Sequence, residues 1–164
     1  MVARFLPYKK VDLAIEAFNT LGWPLKIIGD GPEKRRLKRM ARPNIEFVGL
    51  VSEEKLKDYY ARCRAFIFPQ EEDFGITAVE AMAAGRPVIA YRGGGALEII
   101  KENETGIFFN EQSADSLIEA LKIFKPENFS PAAICQHARQ FDKEIFKDKI
   151  KDFVQKSLSE KNNK

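Results

Sequence analysis

The chain holds 164 residues, 45% hydrophobic and 31% charged, which fits one globular domain and excludes a globally disordered polymer. Its 27 basic and 24 acidic residues leave a net charge of +3, too even to point to nucleic acid as a partner. No apolar run reaches the ~18 residues of a membrane span, MVARFLPYKK lacks a signal-peptide core, and two distant cysteines give neither a disulfide scaffold nor a zinc ribbon.

The first residues read as a strand ending at Arg4, and residues 11–18 as a helix. Residues 25–29 form the next apolar run, followed by a Gly-Pro turn and a helix over 32–41 with Pro32 in its first turn. Residues 45–48 read as a strand, and Ser52 caps a helix reaching to about Cys63. A continuously apolar strand over 65–68 ends at Pro69. The helix over 77–84 stops at Gly85, which suits the left-handed position after a helix. A strand over 87–91, a short helix over 95–100 and a strand over 106–109 follow. The rest reads as helices over 113–124, 131–141 and 143–156, the last with one apolar face made by Ile145, Phe146, Ile150, Phe153 and Val154. That face is expected to dock on protein, and residues 159–164 to fray.

Short strands alternating with helices predict βαβ units, and strands apolar on both sides predict a parallel sheet covered on both faces. The expected fold is therefore an α/β, doubly wound parallel sheet of Rossmann type, occupying residues 1–158 with a helical C-terminal tail. A barrel of eight βα units needs ~250 residues. Ligands of open sheets bind beyond the carboxyl ends of the strands. The loops at 29–32, 49–52, 69–75 and 92–95 are thus the places to look for chemistry.

The segment QEEDFGITAVE leaves a strand, turns at Gly75 and enters a helix. The amides of Gly75, Ile76 and Thr77 have no carbonyl within such a helix and can bind an anion. Glu80 lies about one turn further, and a carboxylate there can accept hydrogen bonds from ribose hydroxyls. The bland alternative is that Glu72 and Asp73 favour the helix dipole and Glu80 is solvated. Arg4 and Lys9 can neutralise a diphosphate leaving group, or simply form an exposed basic face with Lys10. Gly93, Gly94 and Gly95 permit close approach of a ligand or of backbone. Gly29 begins a GxG turn, but Lys34 replaces the third glycine of the dinucleotide fingerprint. Glu71, Glu72 and Asp73 are consecutive and do not converge as a metal site would. Cys63 and Cys135 read as core residues, and His137 as a surface histidine without an evident partner.

In order, RFLPYKKVDLAIEAF, IIGDGPEKRRL, IEFVGLVSEEKL, EDFGITAVEAMAAGRPVIAY and GGALEII…ETGIFF resemble the nucleotide-binding half of retaining GT-B glycosyltransferases. More narrowly they resemble family GT4, also called glycosyl transferases group 1. Each motif is weak alone; five in order, with Glu72 and Glu80 in an E-x7-E spacing, are specific together. The EDFGIT form and the ending ARQFDKEIF are similar to a subgroup of O-antigen mannosyltransferases. The resemblance implies that Glu80 binds ribose and that Glu72 lies near the donor sugar. It implies that Arg4 and Lys9 bind the diphosphate and stabilise its departure. Phe74, Gly75 and Ile76 would meet phosphate or sugar, Leu50 and Val51 the nucleobase, and no metal or other cofactor would be essential. Lys10 and Asp73 depart from the family at positions where many members carry glycine.

The implied function is hexose transfer from a nucleotide diphosphate sugar, GDP-mannose favoured, to a glycan or lipid-linked acceptor in polysaccharide biosynthesis. A cytoplasmic enzyme with at most peripheral membrane association is expected. The family's N-terminal domain, which would read the acceptor, has no counterpart in this sequence. A fragment, a misplaced start or half of a split enzyme is therefore expected, poorly active alone. The alternative is a non-catalytic nucleotide-binding module that needs a partner chain.

Overall fold

The computed structural model describes residues 1–162, and for residues 159–162 the backbone alone. Among them, strands β1 (Leu25–Ile28), β2 (Ile45–Gly49), β3 (Phe66–Phe68), β4 (Val88–Tyr91) and β5 (Gly106–Phe109) alternate with helices. The helices are α1 (Val11–Leu21), α2 (Lys34–Met40), α3 (Glu53–Arg62), α4 (Ile76–Ala83), α5 (Ala96–Ile99), α6 (Ala114–Ile123), α7 (Pro131–Ala138) and α8 (Lys143–Asn162). Most boundaries fall within two residues of those expected. The last helix is longer than expected: its backbone continues to Asn162, while residues 163–164 of the supposed frayed end lie outside the described residues.

The strands run parallel, in two hydrogen-bonded sets: β1 with β2, and β3–β4–β5. The strand expected before Arg4 shrinks to a single parallel bridge between Val2 and Ile28. Ala3 N–H donates to Ile28 O and Ile28 N–H donates to Met1 O, each at 3.0 Å. A tight 3-10 turn over Pro7–Lys9 follows soon after Arg4. Packing nevertheless runs across both sets. Met1, Ala3, Ile27, Ile67, Ile89 and Phe109 belong to one apolar cluster.

Alternation along the strands builds the two faces. Ile67 and Ile89 point to the cluster containing α1 and α6. Phe66, Phe68, Val88 and Ala90 point to the cluster containing α4 and α7. This is why the strands read as continuously apolar: both faces are covered. On α1, Val11, Ala14, Ile15 and Phe18 form a buried stripe at i, i+3, i+4 and i+7, facing Leu117, Ile118 and Leu121 of α6. Full burial of side chains as large as Ile15 or Leu117 contributes about 1.5–3 kcal/mol each. Ser52, Ser113 and Ser130 cap α3, α6 and α7 by accepting from the backbone amide three residues on.

Two smaller expectations change. Cys63 and Cys135 are half-buried rather than core, because Cys63 ends α3 and Cys135 Sγ donates to Ala83 O at 3.2 Å. His137 has a partner: its Nε2 donates to Ile99 O at 2.8 Å, tying α7 to α5. On α8 the apolar side chains stand uncovered, with Phe146 61% and Phe153 69% exposed. No helix among the described residues is long and apolar enough to cross a membrane.

Candidate functional site

Parallel strands deliver all their following loops to one edge, and two open cavities lie there. The first, of about 610 Å³, lies between the N-terminal segment and the β1 and β2 loops. Arg4, Gly29, Leu50, Val51 and Leu56 are among its walls. The second, of about 620 Å³, is lined by Tyr8, Glu71, Glu72, Asp73, Gly94, Gly95 and Glu98. Of the sequence-predicted residues, Arg4, Gly29, Leu50 and Val51 line the first cavity, and Glu72, Gly94 and Gly95 the second. Lys9 lines neither cavity, whereas Arg4 lines the first, where Leu50 is 80% exposed.

Lys9 and Glu72, 63 positions apart, meet in an ion pair whose side chains keep only 17% and 22% of their exposure. The turn over Pro7–Lys9 aims Lys9 at the loop after β3, and its Nζ also lies 4.8 Å from the Tyr8 ring centroid. The turn closes at Lys10, whose φ of 51° and ψ of 35° are left-handed. Glycine adopts that conformation freely, whereas a side chain there costs about 1–3 kcal/mol.

The acidic loop is held by backbone. Gly95 N–H donates to Glu72 O at 2.7 Å. A Cβ on Gly94 would come within 2.4 Å of Glu72 O, and one on Gly95 within 2.4 Å of Asp73 O. The close approach anticipated at these glycines is thus made by chain as well as open to ligand. Gly29 behaves likewise, since a Cβ there would meet Ala3 O at 1.9 Å. Gln70, directly before the acidic run, is buried at 2% exposure and its Oε1 has no hydrogen-bond partner. An orphan acceptor of this kind is uncommon in folded proteins. Sequence inspection gave no sign of it.

Gly75 starts α4 at a φ of 95°, with the Phe68 ring directly beneath. The first amides to pair are those of Ala78 and Val79, both donating to Gly75 O. The amides of Gly75, Ile76 and Thr77 precede them and point out of the helix start. Phe74 and Ile76 stay 43% and 66% exposed beside those amides. Phe74 is steadied by an edge contact with Phe141, 5.8 Å between centroids. Phe74, Ile76, Thr77 and Glu80 line neither cavity.

Glu80 stands exposed on α4, yet it is not free. Its Oε2 accepts a hydrogen bond from Tyr60 Oη at 2.8 Å. Tyr60 lies one turn along α3 from Leu56, a wall of the first cavity. Burial first, and then the negative charge of Glu80, push the Tyr60 phenol well above its ordinary pKa, so it remains a donor at neutral pH. Among the described residues no three His, Cys, Asp or Glu side chains gather as a metal would need.

The sequence model described as "Glycosyl transferases group 1" matches residues 1–160. An uncharacterized glycosyltransferase of Methanocaldococcus jannaschii is 29% identical over 165 aligned residues, covering 97% of this chain and 47% of the relative. A GDP-mannose-dependent alpha-(1-6)-phosphatidylinositol monomannoside mannosyltransferase of Mycobacterium tuberculosis is 30% identical over 138 residues, or 73% of this chain and 36% of that protein. Among solved structures, sucrose-phosphate synthase from Thermosynechococcus elongatus superposes with a TM-score of 0.81 at 25% identity, covering 96% of this chain and 45% of that one. The chain thus spans about half the length, or less, of the proteins it matches.

Proposed function

Because the chain belongs to the glycosyl transferases group 1 family, we propose that it is the donor-binding half of a retaining GT-B glycosyltransferase of family GT4. The parent activity is transfer of a hexose from a nucleotide diphosphate sugar to a glycan or lipid-linked acceptor. GDP-mannose is the favoured donor, in keeping with the GDP-mannose dependence of the mycobacterial relative. One observation carries the reading above all others. The Lys9–Glu72 ion pair, the start of α4 and the Glu80 carboxylate all stand on the carboxyl side of the parallel strands.

In this reading the nucleobase rests against Leu50 and Val51 in the first cavity, and Glu80 accepts from the ribose. The diphosphate meets Arg4, Lys9 and the amides of Gly75, Ile76 and Thr77. As the bond from the sugar's anomeric carbon to the diphosphate oxygen breaks, the electron pair leaves with that oxygen. Positive groups and aligned amides stabilise charge developing there. The acceptor hydroxyl forms the new bond to the anomeric carbon and passes its proton to the departing diphosphate oxygen. Glu72, held by Lys9, lies near the donor sugar. Gly29, Gly94 and Gly95 keep the loops close enough to enclose it. The resemblance assigns no cofactor to this chemistry.

A thermal melt tests the proposal. GDP-mannose at about 100 times its dissociation constant stabilises the native state by about 2.7 kcal/mol, which raises Tm by roughly 5–10 °C for a chain of this size. An unchanged Tm with GDP-, UDP- and ADP-sugars alike would contradict it. A second reading is half of a split enzyme, or a nucleotide-binding module acting with a partner chain. Transfer restored by adding a separate acceptor-binding chain favours the split enzyme. Sustained transfer by residues 1–164 alone removes both partner-dependent forms.

A further inference from the structure

Tyr60 has no part in the sequence reading, yet its phenol makes the hydrogen bond that fixes Glu80. Everything about the donor is held in place. Tyr60 is 5% exposed, and its ring lies 5.6 Å from Phe66, centroid to centroid, at 59°. Phe66 lies 6.4 Å from Phe68. The Phe68 ring in turn underlies Gly75, where an added Cβ would stand 2.8 Å from its Cζ. One strand, β3, thus seats both functional ends of α4: Phe68 beneath the helix start and Phe66 beside the tyrosine that holds Glu80.

An exposed glutamate is a long, mobile side chain, and fixing one costs rotamer entropy. A ligand that needs the carboxylate in one place must supply that ordering when it binds. A buried donor that already holds one oxygen removes much of the cost. Tyr60 takes Oε2, and among the described residues no hydrogen bond reaches Oε1.

We propose that Tyr60 is a positioning residue: it fixes Oε2 of Glu80 so that Oε1 is presented to a ribose hydroxyl of a nucleoside diphosphate. The inference rests on the ribose role given to Glu80 above. It predicts that the bond to Tyr60 acts on ribose recognition and on nothing else in the site.

The test is a calorimetric comparison of GDP with 2′-deoxy-GDP and 3′-deoxy-GDP on the wild-type chain, Tyr60→Phe, Glu80→Ala and the double variant. Phenylalanine keeps the ring and its packing, and Glu80 is exposed enough to be rehydrated, so Tm is expected to change little. The wild-type chain is expected to bind GDP about tenfold tighter than at least one deoxy form. Tyr60→Phe should weaken GDP about three- to tenfold while leaving that deoxy form nearly unchanged. In the Glu80→Ala background the Tyr60 substitution should add nothing, the signature of two residues acting as one unit. Equal weakening of GDP and deoxy forms would mean a merely structural tyrosine and overturn the proposal. Wild-type behaviour of Tyr60→Phe, with discrimination lost only in Glu80→Ala, would overturn it while leaving the ribose role of Glu80 intact. A wild-type chain that binds no nucleotide, or that ignores the ribose hydroxyls, would overturn that role and the proposal with it.

Discussion

The two sides of the candidate site are built in opposite ways. On the β3–α4 side three expected side chains are tied: Glu72 to Lys9, with its carbonyl accepting from Gly95 N–H, Phe74 to Phe141, and Glu80 to Tyr60. On the β1–β2 side, Leu50 is 80% exposed and Arg4 is an exposed wall of the cavity. The difference teaches where geometry is preset and where it is left to the ligand. The Glu72 and Glu80 carboxylates are ordered in advance, which lowers the cost of binding, whereas Arg4 is left for the ligand to order. Apolar walls need only be near, because apolar contact is non-directional.

Perturbing each side separately sharpens this contrast. The largest effect on stability is expected from the β1 side, where the free Met1 amine is buried beside Lys26 O. Burial lowers its pKa from 8.0 to about 6. The unfolded chain therefore binds more protons than the folded one between those values, and stability rises with pH across that window. The gain is about 2–3 kcal/mol, complete above pH 8 and absent below pH 6. Urea denaturation at pH 5.5 and 8.5 measures it, and blocking the amine by acetylation should flatten the profile.

Next in size is Gly95→Ala on the tied side. Its Cβ would strike Asp73 O, a backbone atom that must move, at an expected cost of about 2 kcal/mol. Gly49→Ala on the β2 side meets open space and pays only for its φ of 84°, about 1 kcal/mol. Chemical denaturation of the two variants side by side checks the order, and a larger loss for Gly49→Ala would break the comparison. Smallest is Leu50→Ala, expected to change stability by less than about 0.5 kcal/mol because the side chain is already in solvent. Differential scanning calorimetry should find its Tm close to that of the parent chain.

Much of this arrangement was legible in the chain itself. Ser52 announced its helix because a cap is a local contact, three residues long; Ser113 and Ser130 cap by the same contact but were not singled out. The loops after the strands marked the functional edge because parallel topology forces them together. The pairing of Lys9 with Glu72 and of Tyr60 with Glu80 was not legible, since each depends on how one element packs against another. Tyr60 in particular reads as one more apolar-face residue of α3, and only its distance to Glu80 gives it a role. The glycines at 94 and 95 left ligand and backbone open as the reason for close approach; the carbonyls of Glu72 and Asp73 supply the backbone half of the answer. The first strand was misjudged: it makes one bridge, from Val2 to Ile28, before the chain turns at Pro7.

The central claim is that the tied side holds the nucleotide through Glu80. Calorimetric titration of GDP, UDP and ADP into the purified chain and into Glu80→Ala tests it most directly. The account predicts that one nucleotide, GDP foremost, binds the parent chain, and that Glu80→Ala weakens it by roughly 30-fold, about 2 kcal/mol for lost hydrogen bonds to a charged group. Equal affinity for the parent chain and Glu80→Ala would contradict it.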